Sequence, residues 1–236
     1  IGNNEGIGLA KEELDCLYEQ AKFQPIIGNL KDEGRQPEWA KPYLIHKTKA
    51  GTNIAFLAYT FPYYITYAPN GWQVLEPMAR PEVRDADIVV VLSHLGVRYD
   101  EQIAETYPQV NLVIGSHTHH LFEEGKLVNE TYLAAADRYG YYLGCIDLTV
   151  ENGQLIGCQI EAIPTKSYIL DLDKEDETFI KAMREEGHRR LAQKKVANLG
   201  RELDFDETCQ LVLQAVCQET HSQLTLLNTG LIMKTL

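Results

Sequence analysis

Three imidazoles within four positions, His117, His119 and His120, follow directly on the apolar run Val110 to Ile114, in the stretch V-N-L-V-I-G-S-H-T-H-H. Neutral imidazole is the commonest protein metal ligand, and a turn after a strand can aim His117 and His119 at one small volume. A further histidine, His94, closes a second apolar run, Asp87 to Leu92, within Ser93-His94-Leu95-Gly96. Taken alone His94 reads as a structural histidine; its place at a strand terminus, matching His117, makes it a candidate ligand. Near the start, Gly2-Asn3-Asn4-Glu5 sets amide oxygens in a polar turn. Amide oxygens and imidazoles together suit Mn, Fe, Zn and similar ions. For the histidine triplet by itself, a polar loop with surface histidines is the competing reading.

These residues need elements that bring them together. The run D-I-V-V-V-L at 87–92 reads as a buried strand, Asp100 to Tyr107 as a helix with Ile103 and Ala104 inward, and Val110 to Ile114 as the next strand. Strand–helix–strand is a βαβ unit, so the two strands are expected to be parallel with adjacent ends. That places His94 and the His117/His119 pair on one edge of a sheet, where ligands of α/β proteins gather. Before this unit the pattern predicts a helix from about Gly8 to Lys22 with Leu14, Leu17 and Ala21 on one face. A short strand at Pro25–Asn29 and a hairpin of Tyr43–Thr48 with Asn53–Thr60 follow. Residues 61–71, rich in Tyr and Pro, read as an irregular loop near the site, its aromatics engaged in ordinary packing. After the histidines come short strands at Lys126–Asn129 and Thr131–Ala135. A hairpin of Tyr141–Val150 with Gln154–Ile163 then turns at Asn152-Gly153, a strong two-residue turn signal. Asp173 to about Lys195 reads as a charged helix with Phe179, Met183 and Leu191 in a stripe, Asp206–Thr220 as a second helix, and Leu224–Leu227 as a last strand.

Composition narrows the function classes. The 236 residues are 44% hydrophobic, enough for a sizeable core. A formal charge of −12 argues against general nucleic-acid or anionic-membrane binding. No 18-residue apolar run and no signal-peptide pattern occur, so no membrane association is expected. Five scattered cysteines without a C-x-x-C pair read as reduced core thiols of a cytoplasmic protein. The opening Ile1-Gly2-Asn3 and the closing Thr235-Leu236 read as cuts through folded units, so a fragment is expected.

Taken in order, Gly2-Asn3-Asn4-Glu5, Ser93-His94-x-Gly96 and Gly115-Ser116-His117-Thr118-His119 resemble the second half of the motif set of the calcineurin-like metallophosphoesterases. The intervening hairpins resemble the 5′-nucleotidase branch in particular. Asn228-Thr229-Gly230-Leu231-Ile232 is similar to a segment near the start of that branch's substrate domain. The resemblance implies an α/β fold, part of a four-layer α-β-β-α sandwich, followed by a linker helix and the start of a second α/β domain. Residues 1–166 would form the C-terminal portion of the catalytic domain, 167–200 a helical connector, and 201–236 the truncated start of the C-terminal domain.

It also implies hydrolysis of a phosphate monoester, such as a nucleotide, with a hydroxide activated by two divalent ions (Mn, Zn, Fe or similar). Asn3, His94 and His117 would hold one ion and His119 the other, with Asn228 and Gly230 touching substrate. The Asp-x-His and Gly-Asp motifs that supply the family's remaining ligands do not occur in these residues, so a partial site is expected. Asn4 stands where the family usually has a His acting on the leaving group, and Met233 where it has an Arg; Asn donates a hydrogen bond but is no general acid. The alternatives are a 2′,3′-cyclic nucleotide phosphodiesterase on the same site, a His-x-His amidohydrolase, and a catalytically inactive binding module. The hairpins after residue 126 weigh against the amidohydrolase barrel.

Overall fold

The computed structural model describes all residues except 4–6, 78–82, 84, 166–173, 193–198, 223, 225 and 227–236, and leaves the side chains of residues 65, 66, 191 and 192 undescribed. The chain forms two compact units, Ile1–Ile169 and Leu170–Leu236.

In chain order the first unit holds helix α1 (Lys11–Glu19) and strands β1 (Leu30–Asp32), β2 (Tyr43–Lys47) and β3 (Asn53–Thr60). A short helix α2 (Tyr64–Tyr67), a 3-10 turn Ala68–Asn70 and β4 (Trp72–Val74) follow. Next come β5 (Ile88–His94), α3 (Val97–Thr106), β6 (Leu112–Gly115), β7 (Lys126–Val128), β8 (Thr131–Ala134), β9 (Tyr142–Glu151) and β10 (Gln154–Pro164). Six strands make one sheet in the order β2-β3-β5-β6-β8-β7. Its inner pairs, β3 with β5, β5 with β6 and β6 with β8, are parallel. The edge strands β2 and β7 are antiparallel.

The near-continuous apolar run of β5 has the composition of a strand covered on both faces. On one face Val89, Val91 and Val113 pack with Leu95, Ile103 and Ala104 beside and along α3. On the other, Ile88, Val90 and Leu112 meet Ile146, Leu148 and Ile160 of the β9–β10 pair. The strands β9 and β10 alternate in burial because only one face of the hairpin is covered. Asn152 (φ 50°) and Gly153 (φ 76°) supply the two left-handed residues of its turn. Helix α3, the parallel sheet and the hairpin are successive layers of the expected α/β sandwich.

A second apolar cluster forms around Ile7, Leu14, Ile27, Trp39, Tyr67 and Trp72. It changes several expectations. Pro25–Asn29 contributes only a bridge between Ile26 and Lys41, and the strand lies at Leu30–Asp32, paired with β4. Residues 61–71 are not irregular: α2 and the 3-10 turn order them because Tyr67 is buried in this cluster. Helix α1 is shorter than expected, and Leu17 is 53% exposed rather than inward, so Leu14 and Tyr18, the latter stacked on Trp39, anchor its face.

The second unit carries α4 (Lys174–Ala192) and α5 (Phe205–Thr220). Phe179 and Met183 are largely exposed, so the stripe on α4 is not a covered face. Helix α5 starts on a capping box in which the Asp204 side chain accepts from Glu207 N and Glu207 accepts from Asp204 N. The strand expected at 224–227 lies mostly outside the described residues, as does part of the connector. Among the described residues no helix is long and apolar enough to cross a membrane. The cysteines are all free, but only Cys209 is buried and Cys16 and Cys145 are exposed, which corrects the expectation of core thiols.

Candidate functional site

The site grows from the paired ends of β5 and β6. Ser93 lies opposite Gly115 in parallel register, so both strands stop at one level. Alternation along β5 puts Ser93 on the α3 face with Val89 and Val91, and His94 on the hairpin face with Val90 and Leu92. The His94 ring is held at both nitrogens: Nδ1 is 2.7 Å from Ser116 Oγ and Nε2 is 2.5 Å from Asn3 Oδ1. The His117 ring stands with its centroid 5.0 Å from that of His94.

His117 is fixed differently. Phe61 stacks on it at 4.9 Å with an interplanar angle of 20°, and the Tyr63 hydroxyl is 3.4 Å from Nε2. The segment carrying these aromatics is tied down by buried Asn29. Its amide donates to Thr60 O (2.8 Å) and Leu75 O (3.0 Å), and its carbonyl accepts from Thr60 N (3.0 Å). The histidine turn itself is unusual, since His117 (φ 73°) and His119 (φ 53°) both adopt left-handed backbone. Such non-glycine conformations cost of order 1–3 kcal/mol each and cluster at functional sites.

The first turn of α3 lies beneath both histidine segments. Thr118 Oγ1 accepts from Val97 N at 3.1 Å. Gly96, at φ 92°, comes so close to Thr118 that an added Cβ would stand 2.8 Å from its methyl group. The Ser93 hydroxyl donates to Asp100 Oδ1 and accepts from Leu95 N. Asp100 is 3% exposed, and burial, aided by nearby Glu101 and opposed by the Ser93 hydrogen bond, pushes its carboxyl up to about 7. His117 is shifted the other way: burial, and then the neighbouring His119, hold its pKa below the usual imidazole value. A neutral ring keeps a lone pair for a ligand.

The structure therefore brings Asn3, His94 and His117 together. His119 is exposed, with its ring 6.3 Å from that of Tyr139. Asn4, Asn228 and Gly230 lie outside the described residues. Sequence reasoning missed Ser116 as the partner of His94, Asp100 as a buried carboxyl, and Phe61 and Tyr63 as neighbours of His117. The crowding of aromatics at 61–67 was the available signal for the last two, whose packing is against the His117 ring.

Among the described residues no group of three His, Cys, Asp or Glu side chains is arranged to hold an ion. Two imidazoles and an amide oxygen nonetheless fit a borderline divalent cation as part of its ligand set. If the Ser116 hydroxyl accepts from His94 Nδ1–H, the Nε2 lone pair faces Asn3 Oδ1 across the short gap. In that tautomer both atoms keep a lone pair for an ion; in the other, Nε2–H donates to Asn3 Oδ1. A partner on the distal ring nitrogen is what orients a metal-bound histidine.

No protein-family model matches the chain. It is 37% identical over 246 residues to the uncharacterized metallophosphoesterase YunD of Bacillus subtilis (strain 168), an alignment covering 99% of this chain and 53% of that protein. Thus the chain spans about half the length of that relative. Among solved structures, it superposes on a 5′-nucleotidase precursor from Thermus thermophilus with a TM-score of 0.73 and 19% identity, covering 99% of this chain and 54% of that one. The calcineurin-like phosphoesterase YfkN from Bacillus subtilis matches with a TM-score of 0.62 and 16% identity, covering 75% of this chain and 66% of that one. Along nearly its whole length the chain is thus similar to a metallophosphoesterase, and it shares the fold of a calcineurin-like phosphoesterase.

Proposed function

We propose that the protein is a divalent-metal-dependent phosphoesterase whose substrate is a phosphate monoester, a nucleoside 5′-monophosphate being the favoured class. The observation carrying this reading is the convergence of Asn3, His94 and His117 at the shared end of two parallel strands. The likeness in fold to a 5′-nucleotidase precursor supports the substrate class.

Asn3, His94 and His117 hold one ion in this proposal, and His119 contributes to a second. Bound divalent ions supply charge to neutralise phosphoryl oxygens and to acidify water. The chain's own residues prepare that chemistry. Ser116 orients the His94 ring, while Phe61 and Tyr63 cover one side of His117 and keep it neutral by burial. Asn4 offers the leaving group a hydrogen bond but no proton, so the leaving group draws its proton from solvent. Esters with acidic leaving groups should therefore be turned over fastest. Five free cysteines fit a reducing compartment, and the cytoplasm is the proposed location.

Calorimetric titration with Mn²⁺, alongside assays with a nucleoside monophosphate and p-nitrophenyl phosphate, tests the reading. The 236 residues should bind one divalent ion, with affinity reduced at least tenfold by His117→Ala. They should show little turnover, because no carboxylate among the proposed ligands bridges two ions. Absence of metal binding, or binding indifferent to His117→Ala, would overturn the proposed centre. Two tightly bound ions with turnover abolished by His117→Ala would instead show that the ligand set assigned here is too small.

A further inference from the structure

Asp100 is a buried carboxyl for which the proposed chemistry has no use. None of the ion pairs among the described residues involves it, and its hydrogen-bond partner is the Ser93 hydroxyl. Burying an acid without a cation works against stability. A helix-terminal charge for α3 would do as well on the exposed side of the first turn, so the position inside needs another reason.

Gly115 provides it. Its backbone is not left-handed, so conformation does not demand glycine there. A Cβ at Gly115 would instead collide with Asp100 Oδ2. The end of β6 thus lies directly against the carboxyl, while the end of β5 is bonded to it through Ser93. Ser93 and Gly115 are register partners, and each immediately precedes one member of the His94–Ser116 hydrogen bond. Any sideways slip of one strand end against the other would be felt at that 2.7 Å contact, one residue further on.

We infer that Asp100 is a positioning residue for the candidate metal centre: its carboxyl, wedged between the ends of β5 and β6, sets His94 and Ser116 at hydrogen-bonding distance. An apolar side chain of similar size could fill the space, but without a directional bond to Ser93 it would leave the strand end free to shift. The same carboxyl explains why residue 115 is glycine. The metal part of this inference rests on the function proposed above; the orientation of the His94 ring does not.

The experiment compares wild type, Asp100→Asn, Asp100→Ala and Ser93→Ala by Co²⁺ titration followed in visible absorption, by thermal unfolding, and by ¹⁵N resonances of the His94 and His117 imidazoles. Asn keeps a side-chain oxygen for the Ser93 hydroxyl, so Asp100→Asn should retain Co²⁺ affinity within threefold and leave the imidazole resonances in place. Asp100→Ala and Ser93→Ala should each weaken Co²⁺ binding at least tenfold and shift His94 more than His117 while remaining folded. If Asp100→Ala fails to fold, Ser93→Ala decides. Folded Asp100→Ala or Ser93→Ala with unchanged affinity and unchanged His94 resonances would overturn the inference, whatever the change in melting temperature. If wild type takes up no Co²⁺, the metal reading falls, and the His94 resonances alone decide the positioning role.

Discussion

The two histidine-bearing strand ends share a local design and differ in how their rings are held. His94 is held by polar contacts at both ring nitrogens, Ser116 Oγ at Nδ1 and Asn3 Oδ1 at Nε2. His117 is anchored by packing, with Phe61 against its face, Tyr63 at its edge and a left-handed backbone beneath it. Hydrogen bonds define a tautomer as well as a direction, whereas stacking defines a plane and lowers the ring's basicity by excluding water. One ring is thus set by partners that respond to protonation, the other by shape. The first turn of α3 underlies both, through Asp100 and Ser93 on one side and Val97 and Thr118 on the other.

Perturbing that shared platform should produce the largest effect. The folded pKa of Asp100 is about 7, above its ordinary value of 3.8. The folded state therefore holds this proton more tightly than the unfolded chain does. The associated stability is full below about pH 4 and declines as pH rises toward 7, by at most ~1.4 kcal/mol per unit. Above pH 7 the decline stops. Urea unfolding from pH 4.5 to 8 should show this slope in wild type and its loss in Asp100→Asn, a difference reaching a few kcal/mol. Parallel profiles would mean that the carboxyl is ionised, or solvated, across the whole range.

Gly96→Ala strikes the platform at its other support. The backbone at φ 92° is one that side chains rarely adopt, and the new Cβ would press on the Thr118 methyl. A loss of about 2–3 kcal/mol is expected from combined strain and overpacking. A denaturation midpoint unchanged from wild type would show that the histidine turn yields freely.

The next two changes separate the anchoring modes. Phe61→Ala removes the ring stacked on His117 and edge-on to Tyr99, at a cost of about 1–3 kcal/mol for a partly buried aromatic. It should raise the pKa of His117, measured by NMR titration, and leave His94 resonances nearly unmoved. Ser116→Ala removes one hydrogen bond, worth about 1 kcal/mol. It should disturb the His94 tautomer and spare His117. Equal responses of both rings to either change would dissolve the distinction between the two modes.

Much of this arrangement was legible in local pattern. The apolar runs before His94 and His117, the intervening helix with Ile103 and Ala104 inward, and the Asn152-Gly153 turn all depend on neighbours in sequence. Periodicity and turn chemistry act over a few residues, so these features could be read without coordinates. Parallel strand ends followed from the βαβ handedness and crossover rules, and with them the meeting of His94 and His117.

What only the tertiary structure decided is which distant side chains complete each ring's surroundings. Asn3 reaches His94 across 91 positions of sequence, and Tyr63 reaches His117 across 54. Neither separation has a periodicity to betray it. The short strands β1 and β4 were invisible for the same reason, since each exists only because the other and the Trp39–Trp72 cluster are present. Asp100 shows the limit most plainly. An acid near a helix start reads as a solvated charge favoured by the helix dipole, and the sequence determined only that it lies there. Its burial, its bond to Ser93 and its contact with Gly115 arise because the sheet brings two strand ends over one turn of helix.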